Sequence, residues 1–149
     1  MGQFAFSLDN FLPYKLIQTS EQVSESLATL YKKEFGITRS EWRIIANLAA
    51  RENVIARDLS EITKLDKVKV SRTLTILEDK QLIKRTKSEN DLRASKIELT
   101  EKGLDLYQHI VPRAMEWESQ ILDGLTATQY RDLCQTLDAL RKSVATLTK

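Results

Sequence analysis

Five residues between positions 67 and 75 carry side chains suited to binding nucleic acid: Lys67, Lys69, Ser71, Arg72 and Thr75. An arginine guanidinium can donate two hydrogen bonds to guanine, and hydroxyl groups can bond either bases or phosphates. Arg72 is therefore our main candidate for a base contact. Lys67 and Lys69 lie near the start of a predicted helix, where the helix N-terminus also attracts phosphate. They would therefore position the helix on the nucleic acid more than they would select its sequence. An ordinary solvated helix surface remains the alternative for all five.

Positive charge is concentrated around these residues. Between Arg57 and Lys96 there are eleven Lys or Arg residues and seven Asp or Glu residues, a net charge of +4, whereas the whole chain carries +2. A phosphate-binding surface needs such an excess. Most charge runs are only solvated helix faces, however, and the charge alone does not decide between the two interpretations.

The pattern around these side chains predicts a helix, a turn and a second helix. The first helix covers about 56–63, and the second covers about 67–80. Val70, Leu74 and Leu77 recur at i, i+4 and i+7, which buries one face of the second helix and leaves the polar residues largely on the other. Such a unit is suited to the major groove of DNA.

A hairpin is predicted directly after this unit, with strands at 82–86 and 95–99 joined by the polar residues KSENDLRA. In the second strand, Ile97 and Leu99 alternate with Lys96 and Glu98, which is the period of a strand. Arg93, in the loop, is a candidate for the minor groove, where narrow segments focus negative potential. Asp91 is a candidate for holding the loop or pairing with Arg85. An ordinary turn aspartate and an exposed arginine are the alternatives.

Long helices are predicted on both sides of this region. A helix over 10–34 would be capped by Asn10, with Pro13 in its first turn, and a capping box from Thr38 to Glu41 would open the next helix. After the hairpin, Thr100 would cap a helix over about 101–123, in which Pro112 predicts a kink.

A last helix begins after Thr126 and carries a heptad seam, which we define as Tyr130, Leu133, Leu137, Leu140, Val144 and Leu147. A seam of this kind needs a partner. The N-terminal helix of the same chain or a second subunit could supply it.

Composition limits the classes of protein. With 149 residues, 42% hydrophobic and 30% charged, the chain is long enough for one domain with a core. No apolar run approaches a membrane span, the first residues do not resemble a secretory signal, and one cysteine cannot form an internal disulfide. These features favour the cytoplasm. Phosphate-binding loops, nucleophile elbows and zinc-protease motifs are all missing from the sequence, so we expect no enzyme.

Cys134 and His109 are the only residues of their types. Cys134 adjoins the seam residue Leu133, and a buried cysteine behaves as a small hydrophobe, so a core position is favoured over a redox sensor. With one histidine and one cysteine, a zinc site would need carboxylates for its other ligands, so we expect neither metal nor cofactor.

The order of elements and the motifs together resemble the MarR family (multiple-antibiotic-resistance regulators). DLSEITKLDKVKVSRTLTILEDKQLIKR is similar to the helix-turn-helix of that family, ITRSEWRIIANLA to the preceding helix, and DLRASKIELTEKG to its wing signature of Asp-x-Arg, apolar-x-Leu-Thr and Gly. The motifs cover roughly residues 37–103. This sequence departs from the family pattern at one position. The family wing often carries two arginines after the Asp, whereas here the first of the two is Leu92, so Arg93 is the main residue of the wing that could contact DNA.

The resemblance implies a mainly α fold with a small β wing, in a single domain over 1–149. Residues of about 37–103 would form the winged helix-turn-helix, and about 1–35 and 104–149 would form dimerisation helices. A homodimer would then bind a pseudo-palindromic site in double-stranded DNA as a repressor or an activator, and we expect a repressor. Many members are released by a small aromatic or phenolic molecule. Phe11, Tyr14, Ile17 and Trp42 could line a pocket for such an effector, or could simply belong to the core.

A protein-interaction module with a degenerate winged helix is the competing function. In that case the seam and the basic face would bind a protein partner. The cations Lys67, Lys69 and Arg72 argue against this function.

Overall fold

Six α-helices and one two-stranded antiparallel hairpin form the described part of the chain, which comprises residues 5–87 and 94–148 of a computed structural model. The elements are α1 (Leu12–Phe35), α2 (Arg39–Ala50), α3 (Leu59–Thr63), α4 (Lys67–Asp79), β1 (Ile83–Thr86), β2 (Lys96–Leu99), α5 (Glu101–Leu122) and α6 (Ala127–Leu147). The predicted mainly α fold with a small β wing is confirmed. The chain divides into two compact units, Met1–Val111 and Pro112–Lys149, with the division inside α5 at Pro112.

Local sequence determines where the first two helices begin and end. α1 has Pro13 in its first turn and ends at Gly36, whose φ of 68° is in the left-handed region that glycine tolerates. The predicted cap by Asn10 is wrong: Phe11 precedes the helix, and Asn10 closes a separate short turn, Leu8–Asn10. The capping box of α2 is confirmed, since Thr38 Oγ1 accepts from Glu41 N and Glu41 Oε1 accepts from Thr38 N.

The core of the first unit is formed by aliphatic side chains from α2, α3, α4, both strands and α5, together with Tyr31 of α1. The fully buried residues include Ile44 and Ile45 of α2, Leu59 of α3, Leu77 of α4 and Ile110 of α5. On α2, Ile44, Ile45 and Leu48 are buried and Trp42 and Ala49 are half-buried, so one side of the helix faces the core. This core holds the helix-turn-helix and the hairpin against one another.

The hairpin pairs Ile83 with Leu99, Lys84 with Glu98, Arg85 with Ile97 and Thr86 with Lys96. Val54 O accepts from Ile97 N at 2.9 Å, and Ala56 N donates to Ser95 O at 3.0 Å. The segment before α3 is thus tied to the second strand. Since opposed residues share a face, Arg85 lies on the inner face with buried Ile83 and Ile97, and Lys84 and Glu98 lie on the other.

In the second unit, α6 starts with a capping box in which Thr126 Oγ1 accepts from Gln129 N, as the position of Thr126 indicated. The seam residues of α6 are exposed or half-buried, and Leu133 is 46% exposed. No described residue of this unit is buried in the isolated chain. Within the part of the chain that the structure describes, none of the helices has the length and apolar character needed to cross a membrane.

Candidate nucleic-acid interface

The turn between α3 and α4 is fixed by hydrogen bonds from small polar side chains. Ser60 Oγ donates to Leu65 O at 2.6 Å, and Thr63 Oγ1 donates to Leu59 O and accepts from Leu65 N. Lys64, which ends α3, has a φ of 63° in the left-handed region, and the chain changes direction at this residue. This tight turn sets the direction in which α4 starts.

α4 begins at an aspartate cap and buries one side. Asp66 Oδ1 accepts from Lys69 N at 2.7 Å, which satisfies one of the free amides of the first turn. Val70, Leu74 and Leu77 are buried, as their spacing predicted, and Thr73 is buried beside them. The helix is therefore anchored along its length while its opposite side remains free to contact a ligand.

The five sequence-predicted residues of α4 are all exposed: Lys67, Lys69, Ser71, Arg72 and Thr75. Thr75 Oγ1 donates to Ser71 O at 3.2 Å, so its hydroxyl keeps its acceptor capacity for a ligand. Three cations and two hydroxyls thus share the surface of one helix. Such a surface can contact both phosphates and base edges.

An open groove of about 1090 Å³ runs along one side of α4. It separates α4 from the start of α2, and its lining includes Arg39, Lys67, Val68, Lys69, Arg72 and Ile76. Neither Val68 nor Arg39 was predicted from the sequence to lie on this surface. The signal for Val68 was available, because it lies outside the i, i+4, i+7 stripe that starts at Val70.

A second cavity, of about 260 Å³, lies on the other side of α4 between α4, the start of α3 and β1. Arg57, Lys67 and Arg85 contribute cations to it, and Ser60 and Ser71 contribute hydroxyls. Arg85 Nε is buried and has no hydrogen-bond partner among the described residues. Arg85 thus lines this cavity and also carries a buried guanidinium nitrogen without a hydrogen-bond acceptor among the described residues.

The two loop candidates of the wing, Asp91 and Arg93, lie outside the described residues. On the exposed face of the hairpin, Lys96 Nζ lies 2.9 Å and Lys84 Nζ 3.5 Å from carboxylate oxygens of Glu98. The hydrogen bond from Lys96 is the main cause that lowers the pKa of Glu98, and the Lys84 charge adds to it. Glu98 is thus ionised and partly neutralises the two wing lysines.

The four candidate effector residues fall into two groups. Trp42 stacks on Tyr31 at 5.5 Å and on Tyr107 at 6.0 Å between ring centroids, and it packs against the core. Phe11 and Ile17 are exposed and Tyr14 is half-buried at the start of α1. None of these four residues lines the grooves described above.

The prediction that Cys134 is buried is wrong for the isolated chain, where the thiol is exposed. Its neighbour in the seam, Leu133, is itself exposed. A hydrogen bond with Cys134 raises the pKa of Tyr130, one turn earlier. Among residues 5–87 and 94–148, no three His, Cys, Asp or Glu side chains form a group that could hold a metal ion.

Comparison with known proteins extends the similarity to nearly the whole chain. A sequence model of the MarR family matches residues 35–94. The crystal structure of a MarR/EmrR family transcriptional regulator from Acinetobacter sp. ADP1 is 31% identical, with a TM-score of 0.82, and the match covers 95% of this chain and 99% of that one. The homoprotocatechuate degradative operon repressor of Escherichia coli is 28% identical over 127 residues, 85% of each chain. The MepR–DNA complex of Staphylococcus aureus shares the fold, with a TM-score of 0.74, 21% identity and coverage of 93% and 99%.

Proposed function

Because this chain belongs to the MarR family of transcriptional regulators, we propose that it binds a pseudo-palindromic operator in double-stranded DNA as a homodimer and represses transcription. Members of the family are regulators, and the chain is accordingly a regulator and not an enzyme. A regulator works where its operator lies, so the cytoplasm remains the proposed location.

The exposed face of α4 is the observation that carries this proposal. Its buried stripe fixes the helix in the fold, and three cations and two hydroxyls project from the other side. A helix of 13 residues anchored in this way can enter a major groove, which accepts a helix about 10–12 Å in diameter. The solved MepR complex with DNA supports this use of the fold.

We assign different roles to the residues of this face. Arg72, in the second turn, would donate to a guanine edge, and Ser71 and Thr75 would bond bases or phosphates. Lys67 and Lys69 lie in the first turn, where the amides of the helix N-terminus also attract phosphate, so they would position the helix. Specificity would therefore depend more on Arg72 than on either lysine.

The wing would contact the flanking minor groove through Arg93. Asp91 would stabilise its loop by pairing with Arg85.

Exposed apolar side chains support a homodimer. Leu12, Leu16 and Ile17 in the first half of α1 are exposed, as are most of the seam residues of α6. Exposed apolar surface on this scale costs free energy in water unless a partner covers it. A second copy of the chain would cover it, with about 1–35 and 104–149 supplying the dimerisation helices around the DNA-binding region of about 37–103.

Repression and release by an effector are the finer parts of the proposal. The Escherichia coli relative is named as an operon repressor, which supports repression. A small aromatic or phenolic effector would bind near Phe11, Tyr14 and Ile17. Trp42, whose ring is held in place by Tyr31 and Tyr107, lies about 20 Å along α1 from Ile17, so it would belong to a second candidate site and not to this pocket.

Selection of a preferred duplex from random DNA at about 150 mM salt tests the proposal, since only specific binding survives competition under these conditions. We expect a pseudo-palindrome whose half-sites are about 10 base pairs apart, the spacing of successive major grooves. A triple variant, Lys67→Ala, Lys69→Ala and Arg72→Ala, serves as the matched control and should enrich nothing. If the folded wild-type protein enriched no sequence either, the proposal would be wrong.

A further inference from the structure

Val68 is an exposed apolar residue at the centre of the basic face of α4. It is 59% exposed and lies between Lys67 and Lys69 in the first turn of the helix. At about 100° per residue, it lies almost directly opposite the buried stripe of Val70, Leu74 and Leu77. Its side chain thus points away from the core.

The fold gives no reason for an apolar side chain here. Val68 is not part of the core cluster or of the half-buried side chains packed on it. Valine is also a poorer helix former than the lysines beside it. A lysine or glutamine at this position would suit both the helix and the solvent better, so a contact outside the monomer is the simplest reason for a valine.

A major groove offers one kind of apolar contact to such a residue. Thymine is the only one of the four bases that presents a methyl group there, and small apolar side chains contact it. Residues in the first turns of a recognition helix are those that reach base edges. Valine is also restricted at χ1 in a helix, so little side-chain freedom is lost when the contact forms.

We propose that Val68 is a specificity-determining residue that contacts the 5-methyl group of a thymine in each half-site. This inference rests on the proposed function and names the base that its recognition helix selects. Val68 and Arg72 are four residues apart, a rise of about 6 Å, against roughly 3.4 Å per base step. The thymine should therefore lie within about two base pairs of the guanine that Arg72 contacts.

Ile76 provides a matched control on the same helix. It is also exposed, at 45%, and lines the same groove, but it is two turns further along the helix and rotated by roughly 80° from Val68. It should therefore not contact the same methyl group. A general effect of exposed apolar residues on DNA binding would appear in both positions, whereas methyl recognition would appear in Val68 alone.

The test uses the duplex that the wild-type protein selects, with each thymine replaced in turn by deoxyuridine, which lacks only the methyl group. At one thymine per half-site we expect affinity to fall about fourfold, the effect of one buried methyl, and roughly fifteenfold with both half-sites changed. Val68→Ser should bind the thymine and deoxyuridine duplexes equally. Val68→Thr, which retains a methyl group, should restore part of the difference, and Ile76→Ala should discriminate as the wild type does.

Two results would overturn this inference alone. One is specific binding to a duplex with no invariant thymine. The other is that Val68→Ser loses the same factor in affinity, relative to the wild type, on the thymine duplex and on the deoxyuridine duplex. If no sequence were enriched at all, the proposed function would fail and this inference with it. The two failures are therefore distinguishable in one series of measurements.

Discussion

Lys80 Nζ lies 2.7 Å from Glu41 Oε2, and this ion pair joins the first turn of α2 to the residue that ends α4. The Glu41 side chain is only 3% exposed. Its other oxygen accepts from Thr38 N, so one carboxylate completes the capping box of α2 and also holds the end of α4. The orientation of the exposed face of α4 therefore depends on Glu41, a residue outside the helix-turn-helix.

Lys80→Met should lower the free energy of unfolding by about 1–3 kcal/mol, because it leaves the buried Glu41 carboxylate without its cation. Urea denaturation measures this loss. Lys84→Met is the matched control: it breaks the exposed pair with Glu98 and should change stability by less than about 1 kcal/mol. Adding Glu41→Gln to Lys80→Met should recover part of the loss, and equal effects of the two lysine variants would contradict this interpretation.

Gly103 lets α5 approach the chain that enters the hairpin. A Cβ atom there would lie 2.1 Å from the Leu82 carbonyl oxygen, which is backbone and cannot move aside. We expect Gly103→Ala to destabilise the first unit by about 1–3 kcal/mol or more, as overpacking does. Gly124→Ala, where the nearest atom is 3.5 Å away, should unfold close to the wild-type temperature. A thermal melt of the two variants compares them directly.

Local patterns were enough to predict most elements of the first unit. The stripe of Val70, Leu74 and Leu77 predicted α4 to within one residue of its end, because a helix anchored on one side must repeat its apolar residues every three to four positions. The Leu-Thr-x-x-Gly signature also has a physical basis. Thr100 Oγ1 accepts from Gly103 N and donates to Gln81 O, which caps α5 and ties it to the hairpin.

Long-range relationships and special backbone positions were not predictable. The pairing of Glu41 with Lys80 joins residues 39 positions apart, and no local pattern marks it. The reversal at Lys64 uses a positive φ at a residue type that rarely adopts one. The exposure of Cys134 depends on what covers α6, which a single helix does not reveal.

Tyr31 should make stability sensitive to alkaline pH. Burial raises its pKa to about 12 from 10.0, although the charges of Arg39 and Arg43 oppose this shift. Below pH 10 the phenol is neutral in both states, whereas above it the unfolded chain loses the proton first. The contribution of neutral Tyr31 to the free energy of unfolding is therefore lost as the pH rises from 10 to about 12, by up to about 1.4 kcal/mol per pH unit. Tyr31→Phe should show a shallower fall in denaturation midpoint over this range, and parallel curves would contradict the assignment.

Arg72→Ala and Lys67→Ala should weaken operator binding in different ways. Removing a guanidinium that contacts guanine should cost about 1–3 kcal/mol and relax specificity at one operator position. Removing a phosphate contact should weaken all sequences alike and lower the salt dependence of log K by about one. Titrations of the selected duplex and a scrambled duplex at several salt concentrations separate the two effects. An unchanged operator affinity for Arg72→Ala would disprove its proposed role.

Leu133→Glu should convert the proposed dimer into a monomer. Leu133 is an exposed member of the α6 seam, and in a symmetric interface the variant would bury two unpaired carboxylates, at a cost of several kcal/mol. Gln135→Glu adds the same charge to the same helix outside the seam and should remain dimeric. Sedimentation velocity measures both. Because two half-sites must be bound together for full affinity, Leu133→Glu should also lose operator binding, and a stable Leu133→Glu dimer would show that another surface joins the subunits.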